Sequence, residues 1–456
     1  MFLYHFRYIF LTLTFTLLIQ AEELKNLSLD KALTIMKTNN LELKISKFNE
    51  KIKQHEINIA KGHKYGKLDA KVQALRSNDA GNIFGFKLKS REATFGDFGF
   101  SEFDMSGQTN PLPIAPNELN YPDPRSHYQT TITYMLPLYT GGKLEQYGKI
   151  TKALQHMSQL ETSKLLNEKI FQTTKTFYDI SLLDQYIDNL SNIVANIDKL
   201  QNIVKSMKEE GFAKEIDEVE VKTRSVEAQS LLSQANYNKE LAYQYLSFLL
   251  NKHVLSIQTL DDNVPIPYCD LNQFLENNLD IQRAELGLKI TDMAMKAEEA
   301  NFRPSVGAFG EYGSSDNQVF NDFIEKDFYT IGVQLEWNLF NGIIDKNNLD
   351  KAKIENMKAH EQVELAKKGI GLKIAKLQTE IKSKTSDSKS FNQQLTFATK
   401  VYENYEERYQ EGIASISDVL IKQSKELEVL LKLLTAKNDR NAKIFELRSI
   451  LNEGKK

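Results

Sequence analysis

The sequence predicts an α+β chain built twice on one plan: a pair of amphipathic β-strands followed by a pair of very long helices. Three observations predict it. Landmarks recur at a fixed offset, two stretches of about 70 residues lack proline, and a period-two alternation precedes each of them. Glycine (21) and proline (9) are scarce among 456 residues, as long uninterrupted helices require. The chain is too long for one ordinary globular core.

The duplication is read from spacing. Gly141 in Leu138-Tyr139-Thr140-Gly141 and Gly342 in Leu339-Phe340-Asn341-Gly342 lie 201 residues apart. Gly211 and Gly412 also lie 201 apart, so each half spaces its two glycines by 70. An aspartate follows the second glycine at six residues in both halves, as Asp217 and Asp418.

Helices are expected over about 143–210, 214–250, 343–411 and 415–450. At 1.5 Å per residue the longer ones reach about 100 Å, which predicts an elongated molecule. Leu420, Leu427 and Leu434 recur every seventh residue, with Leu430, Leu431 and Phe445 beside them, a coiled-coil-like seam that packs helices and binds no cofactor.

Strands are expected over about 67–76, 126–138, 304–313 and 327–340. Tyr128, Thr130, Ile132, Tyr134, Leu136 and Leu138 form one face of the second. Offset by 201, they superimpose on Tyr329, Ile331, Val333, Leu335, Trp337 and Leu339 of the fourth. Leu68, Ala70, Val72 and Ala74 meet Val306, Ala308, Gly310 and Tyr312 at an offset of 238. Such strands fit a transmembrane barrel and also a soluble sandwich with one wet face. Four strands cannot close a barrel, whereas three copies supply twelve. The offset grows because the first hairpin loop is 37 residues longer. That loop, Ser77 to Arg125, reads as an outward-facing loop.

The N-terminus reads as a signal peptide over 1–21. His5 and Arg7 precede an apolar run of about 11 residues from Ile9 to Ile19, too short to span a bilayer as a helix. An uncleaved membrane anchor is the alternative. Later segments never reach 18 apolar residues, so any bilayer crossing by the mature chain falls to β-strands. The single cysteine, Cys269, excludes an internal disulfide and reads as an inert packed thiol. Lys+Arg (58) nearly balance Asp+Glu (61), which argues against nucleic acid as a partner. The seven histidines, His5, His55, His63, His127, His156, His253 and His360, share no ligand spacing. No catalytic, cofactor or metal site is expected, and the chain does not read as an enzyme.

The layout resembles the outer membrane efflux family, the TolC-like exit ducts. PLYTGGK at Pro137 to Lys143 is similar to the family's strand-to-helix turn, with Pro137, Gly141 and Gly142 at its bend. NLFNGI, carrying Gly342, is its second copy. RYQEGIASISDVL at Arg408 to Leu420 and EEGFAKEIDEV at Glu209 to Val219 resemble the periplasmic tip turns, placing Gly412 and Gly211 at the tips. LSLDKAL from Leu27, RPSVGAFGEYG from Arg303 and FGFKL from Phe84 add to the likeness, which covers the mature chain from 22 to 456, with repeats over 22–260 and 270–456.

The resemblance implies an α+β membrane protein: a homotrimer with a twelve-stranded outer-membrane β-barrel continuous with a long periplasmic α-helical barrel. Its place is the outer membrane, spanning into the periplasm. Its partners are outer-membrane lipid, a periplasmic adaptor and an inner-membrane pump, and its work is passive exit of small molecules or ions. A type I protein secretion outlet, or a soluble periplasmic coiled-coil adaptor, is the alternative. In the family an acidic residue six after the second glycine faces the pore, here Asp418 as the constriction. A tyrosine three before that glycine holds an aspartate six after the first, here Tyr409 and Asp217 as gate contacts. A second acidic ring falls on Ile421 and a charge clamp on Ala414, so both depart from the pattern, with Arg408 the candidate to rebuild the clamp. Tyr329, Ile331, Val333, Leu335 and Trp337 are the expected lipid-facing set.

Overall fold

The computed structural model describes residues 23–452 apart from 105, 109, 111, 261–263, 269–274, 276, 320 and 321. The signal peptide expected over 1–21 and the reading of Cys269 lie outside the described residues. In chain order the elements are α1 (Leu29–Asn39), α2 (Leu41–Gly62), β1 (Lys67–Ser77), α3 (Ala80–Lys89), α4 (Asn117–Asn120), β2 (Arg125–Thr140), α5 (Lys143–Glu209) and α6 (Glu215–Leu250). There follow α7 (Leu279–Glu299), β3 (Ser305–Asp316), β4 (Asp327–Glu336), α8 (Ile344–Gln410) and α9 (Ile416–Ile450). The plan of two strands and two helices therefore occurs twice. Its long helices are 67 residues each, and the returning ones 36 and 35.

The chain divides into two compact units, one of them made of Asn49–Gln159 and Arg283–Leu365. In this unit the strands form one antiparallel sheet in the order β1-β2-β3-β4. Both hairpins pair in the same register: Leu68 opposes Tyr134 and Ala70 opposes Ile132, while Val306 opposes Leu335 and Ala308 opposes Val333. These are the same pairs displaced by 238 on one strand and 201 on the other. The first hairpin loop has 47 residues and the second 10, which absorbs the difference of 37.

Because side chains alternate along a strand, the register puts Leu68, Ala70, Val72, Ile132, Tyr134, Val306, Ala308, Ile331, Val333 and Leu335 on a single sheet face. Lys71, Gln73, Gln129, Thr131, Thr133, Glu311, Thr330 and Gln334 take the other. Tyr329, Ile331, Val333 and Leu335 are strongly exposed, Ile331 at 80%. β4 ends at Glu336, short of the 340 expected. Trp337 lies just past it, with its indole Nε1 donating to the Phe302 carbonyl at 3.2 Å. Among the described residues, β1 and β4 are sheet edges with no outer partner.

The sheet meets the long helices through turns that need unusual backbone. Gly141 and Gly142 have φ of +68° and +97°, and a Cβ on Gly141 would stand 2.5 Å from the Ala300 carbonyl oxygen. The second copy uses Gly342 at φ +71° but carries Ile343 at φ +72°, a strained choice for a β-branched residue. Pro137 opens a register shift on β2, a bulge at which Leu138 drops out of the pairing with β3.

The loop between β1 and β2 is folded against the sheet end. It opens with α3, whose N-cap Asp79 accepts from the Asn82 amide at 2.9 Å. Ile83 and Phe86, three residues apart on the helix, are both buried. Phe86 stacks on the His127 ring at 4.2 Å between centroids and 4° between planes. Beyond α3, Glu92 joins both hairpins. It accepts from Lys326 Nζ at 2.6 Å and pairs with Arg125, while Lys326 also bonds Asp316 at 2.8 Å. Burial raises the Glu92 carboxyl, but the bonds from Lys326 and Arg125 outweigh it and hold the group below the usual glutamate range.

The other unit, Met1–Phe48, Leu160–Gln282 and Ala366–Lys456, is helical and holds three cores. In the first, α5 contributes Leu190, Ile193, Ile197, Leu200 and Val204, spaced three and four apart as in a coiled-coil seam. Facing them are Val221, Ala228 and Ala235 of α6, Tyr402 and Tyr409 of α8, and Leu420, Leu427 and Leu430 of α9. Leu434 packs at its margin, whereas Leu431 stays partly exposed outside the seam. The second core joins α1 to α5 and α6, assisted by two parallel bridges, Leu24 to Val254 and Leu27 to Ile257. The third gathers Ile374, Leu377 and Ile381 of α8 against Ile444, Phe445 and Leu447 of α9.

The two sheet faces predict unequal tolerance. In a barrel that turns the apolar face to lipid, Val333→Arg should cost about 2–4 kcal/mol near midplane. Gln334→Arg, one residue along and on the other face, should be mild. Unfolding of the reconstituted protein in urea checks this, and equal losses at the two positions would refute the facing.

Candidate functional site

The two helical turns repeat one geometry. At the first, Gly211 has φ +83°, and the amides of Phe212 and Ala213 return to the Met207 carbonyl at 2.7 and 3.2 Å. At the second, Gly412 has φ +74°, and the amides of Ile413 and Ala414 return to the Arg408 carbonyl at 2.8 and 3.2 Å. This is the left-handed termination that glycine permits, with the end carbonyl satisfied twice. Ile413 and Phe212 project as exposed apolar side chains in matched positions.

Each aspartate six residues on sits in the first turn of the returning helix. The Lys214 amide donates to Asp217 Oδ2 at 2.8 Å. Asp418 takes part in a full capping box with Ser415. Its Oδ2 accepts from the Ser415 amide at 3.2 Å and hydroxyl at 2.6 Å, and its own amide donates to Ser415 Oγ at 3.2 Å. These Ser415 bonds hold the Asp418 carboxyl below its usual range, helped by the charges of Lys422 and Arg408. Asp418 remains exposed. Tyr409 is buried in the first core, and burial, then the nearby Asp217 charge, pushes its phenol up. The Asp217 charge thus acts on Tyr409, while the bonds of its carboxylate run to Lys214 and those of Asp418 to Ser415. Arg408 itself lies over the Tyr405 ring at 5.3 Å.

Several polar groups here escape sequence reasoning. Ser417 Oγ donates to Glu220 Oε2 at 2.8 Å, tying the second hairpin to the first, and Lys208 pairs with Glu218 at 2.9 Å across the first turn. One seam face buries Gln423 and Tyr402. The Tyr402 hydroxyl and both amide atoms of Gln423 find no hydrogen-bond partner among the described residues. Burial pushes the Glu406 and Glu426 carboxyls up, and Thr399 Oγ1 donates to Glu426 at 2.6 Å. No local motif announces these residues, since each depends on what faces it from another helix. Among the described residues no group of acids, histidines or cysteines is placed to hold a metal ion, and no helix is long and apolar enough to cross a membrane.

The comparisons with known proteins agree with this architecture. Residues 271–453 match the model of the outer membrane efflux protein family. The whole fold is similar to the CmeC outer membrane channel of Campylobacter jejuni, with TM-score 0.77 at 15% identity, covering 93% of this chain and 86% of that one. It is also similar to the open state of the MtrE outer membrane channel of Neisseria gonorrhoeae, at TM-score 0.74, 15% identity and 93% and 88% coverage. The outer membrane protein VceC of Vibrio cholerae gives TM-score 0.74 at 13% identity, with 93% and 96% coverage. No curated protein sequence matches the chain. The fold, a four-stranded sheet continued by long helices, is the one these outer-membrane channels share, and the second half of the chain is similar to the outer membrane efflux protein family.

The capping box makes a testable tip. Ser415→Ala should destabilise the turn by about 1 kcal/mol. Because the folded pKa of Asp418 is lowered, its contribution is complete above the ordinary aspartate value and fades as pH falls through the folded one. Amide exchange over 416–419 should therefore quicken only on strong acidification. Asp418→Asn should flatten that pH response, and an unchanged response would show that the cap does not titrate.

Proposed function

We propose that the chain is the passive exit duct of a three-component efflux assembly and performs no chemical step. Three copies join strand to strand, β4 of one beside β1 of the next, to close a twelve-stranded barrel. Their helices form the tunnel that an adaptor and an inner-membrane pump engage. The observation that carries this is the four-stranded sheet with one continuous apolar face and two unpaired edges. In hydrocarbon an unpaired backbone edge is untenable, so such a sheet must close on copies of itself. Tyr329, Ile331, Val333 and Leu335 then meet lipid, with Trp337 at the inner rim. Tyr329 and Trp337 are eight residues apart, about 26 Å of strand, comparable with the apolar band of an outer-membrane barrel.

In this reading Asp418 supplies three carboxylates at the inner neck, and Tyr409, Asp217 and the Ser417–Glu220 bond hold neighbouring hairpins closed. A ring of like charges in a narrow passage attracts cations and repels itself when closed. Small solutes or ions leave through the neck when docking pulls the hairpins apart. Energies of this size suit a gate, since states that differ by a few kcal/mol exchange populations readily.

The test is assembly and conduction. The protein should be recovered from outer membranes as a heat-resistant trimer, and a stable monomer without detergent would overturn the duct. In planar bilayers Asp418→Ala should lower cation selectivity and weaken block by a trivalent metal ion. Tyr409→Phe combined with Asp217→Ala should raise conductance without the pump, since it removes contacts of about 0.5–1.5 kcal/mol each. Wild-type selectivity and conductance in these variants would place the constriction elsewhere.

A further inference from the structure

The helix α3 lies on the wrong side of the sheet for a lipid-exposed loop. Its Phe86 covers His127, which is fully buried. His127 opposes Leu75 in the ladder and precedes Tyr128, so it belongs to the polar face, with Gln129, Thr131 and Thr133. It is the third residue of β2, at the end of the sheet remote from Thr140 and the start of α5. The clamp at Glu92 is at the same end, because Arg125 opens β2, Asp316 closes β3 and Lys326 precedes β4. Lys87 of α3 pairs with Asp97, which also accepts from the Thr94 amide at 2.7 Å, and Arg91 donates to the Glu325 carbonyl at 2.9 Å. The segment is thus laid over the polar sheet face at Phe86 and His127 and is held at the rim by Glu92 and Arg91, rather than left free to project.

We propose that α3 and its Glu92 clamp form a pore-lining constriction at the outer mouth, which sets the size of solute able to leave. The inference rests on the barrel reading above, in which the polar sheet face lines the lumen. An eight-stranded barrel is filled by its own side chains, and a sixteen-stranded one holds an aqueous channel. A ring of twelve lies between. Three copies of a helix about 10 Å across occupy much of such a mouth. The second hairpin has only a ten-residue loop, so each protomer contributes one such helix.

Thiol labelling from outside intact cells tests this independently of the inner neck. In a Cys269→Ala background, Thr133→Cys puts a thiol on the polar face, and Ile132→Cys puts one on the apolar face. A small charged methanethiosulfonate should label Thr133→Cys readily and Ile132→Cys poorly. Equal labelling of the two would defeat the barrel reading itself. A bulky polyethylene-glycol maleimide should reach Thr133→Cys slowly. Replacing residues 79–123 by Asn-Gly should speed the bulky reagent about tenfold if the constriction is closed nine parts in ten, while leaving the small reagent nearly unchanged. Glu92→Gln, which keeps the segment but loosens its clamp, should give a smaller increase in the same direction. Bulky-reagent rates unaltered by Glu92→Gln, or by the short loop in trimers recovered from the outer membrane, would overturn the constriction.

Discussion

The unpaired edges of the β1-β2-β3-β4 sheet are the constraint on which the rest depends. Each backbone N–H or C=O left bare in hydrocarbon costs several kcal/mol, and here two whole strands present such groups. The sheet also offers an unbroken apolar face that no helix of its own unit covers. In the proposed duct, closure on further copies would relieve both costs at once. The identical register of the two hairpins makes that closure regular, because equivalent residues then stand at equivalent heights around the ring. The bulge at Pro137 and the left-handed turn at Gly141 belong to the same constraint, since they bend the chain out of the sheet where the ladder must stop.

The helical unit obeys a gentler rule. Its seam repeats every seven residues, and small side chains of α6 such as Ala228 and Ala235 let α5 and α9 approach. Polar side chains intrude on this seam at Tyr402, Gln423, Glu406 and Glu426, where burial works against charge. A fully apolar seam would hold the hairpins more firmly. A partly polar one, tied near the turns by single bonds such as Ser417 to Glu220, suits the opening proposed above. Asp418 serves two physical ends in this arrangement. It caps its own helix, and the capping bonds favour its charged form, the state that the proposed neck would use.

The loop after β1 shows how one hairpin plan is diversified. Both repeats keep the strand register, and the insertion changes only the connection at one end. A loop that merely protruded would need no buried residues. This one buries Ile83 and Phe86 and commits Glu92 to two cations, so its position is determined by packing and charge together.

Much of this architecture follows from sequence alone because it is periodic. The offsets of 201 and 238 determined which strand residues are equivalent in the two repeats and share a face, and the glycine spacing determined the two turns, while the pairing across each hairpin came from the structure. Period and punctuation are local properties, and a strand or helix displays them wherever it is packed. The tertiary structure alone decided where β4 stops, that the first hairpin loop packs Phe86 on His127, that Leu431 leaves the seam while Leu430 enters it, and that Ser417 reaches Glu220. Each of these depends on residues far apart in the chain meeting at a few ångströms. Glu92 and Lys326 are 234 positions apart and share no pattern that a reading along the chain could detect.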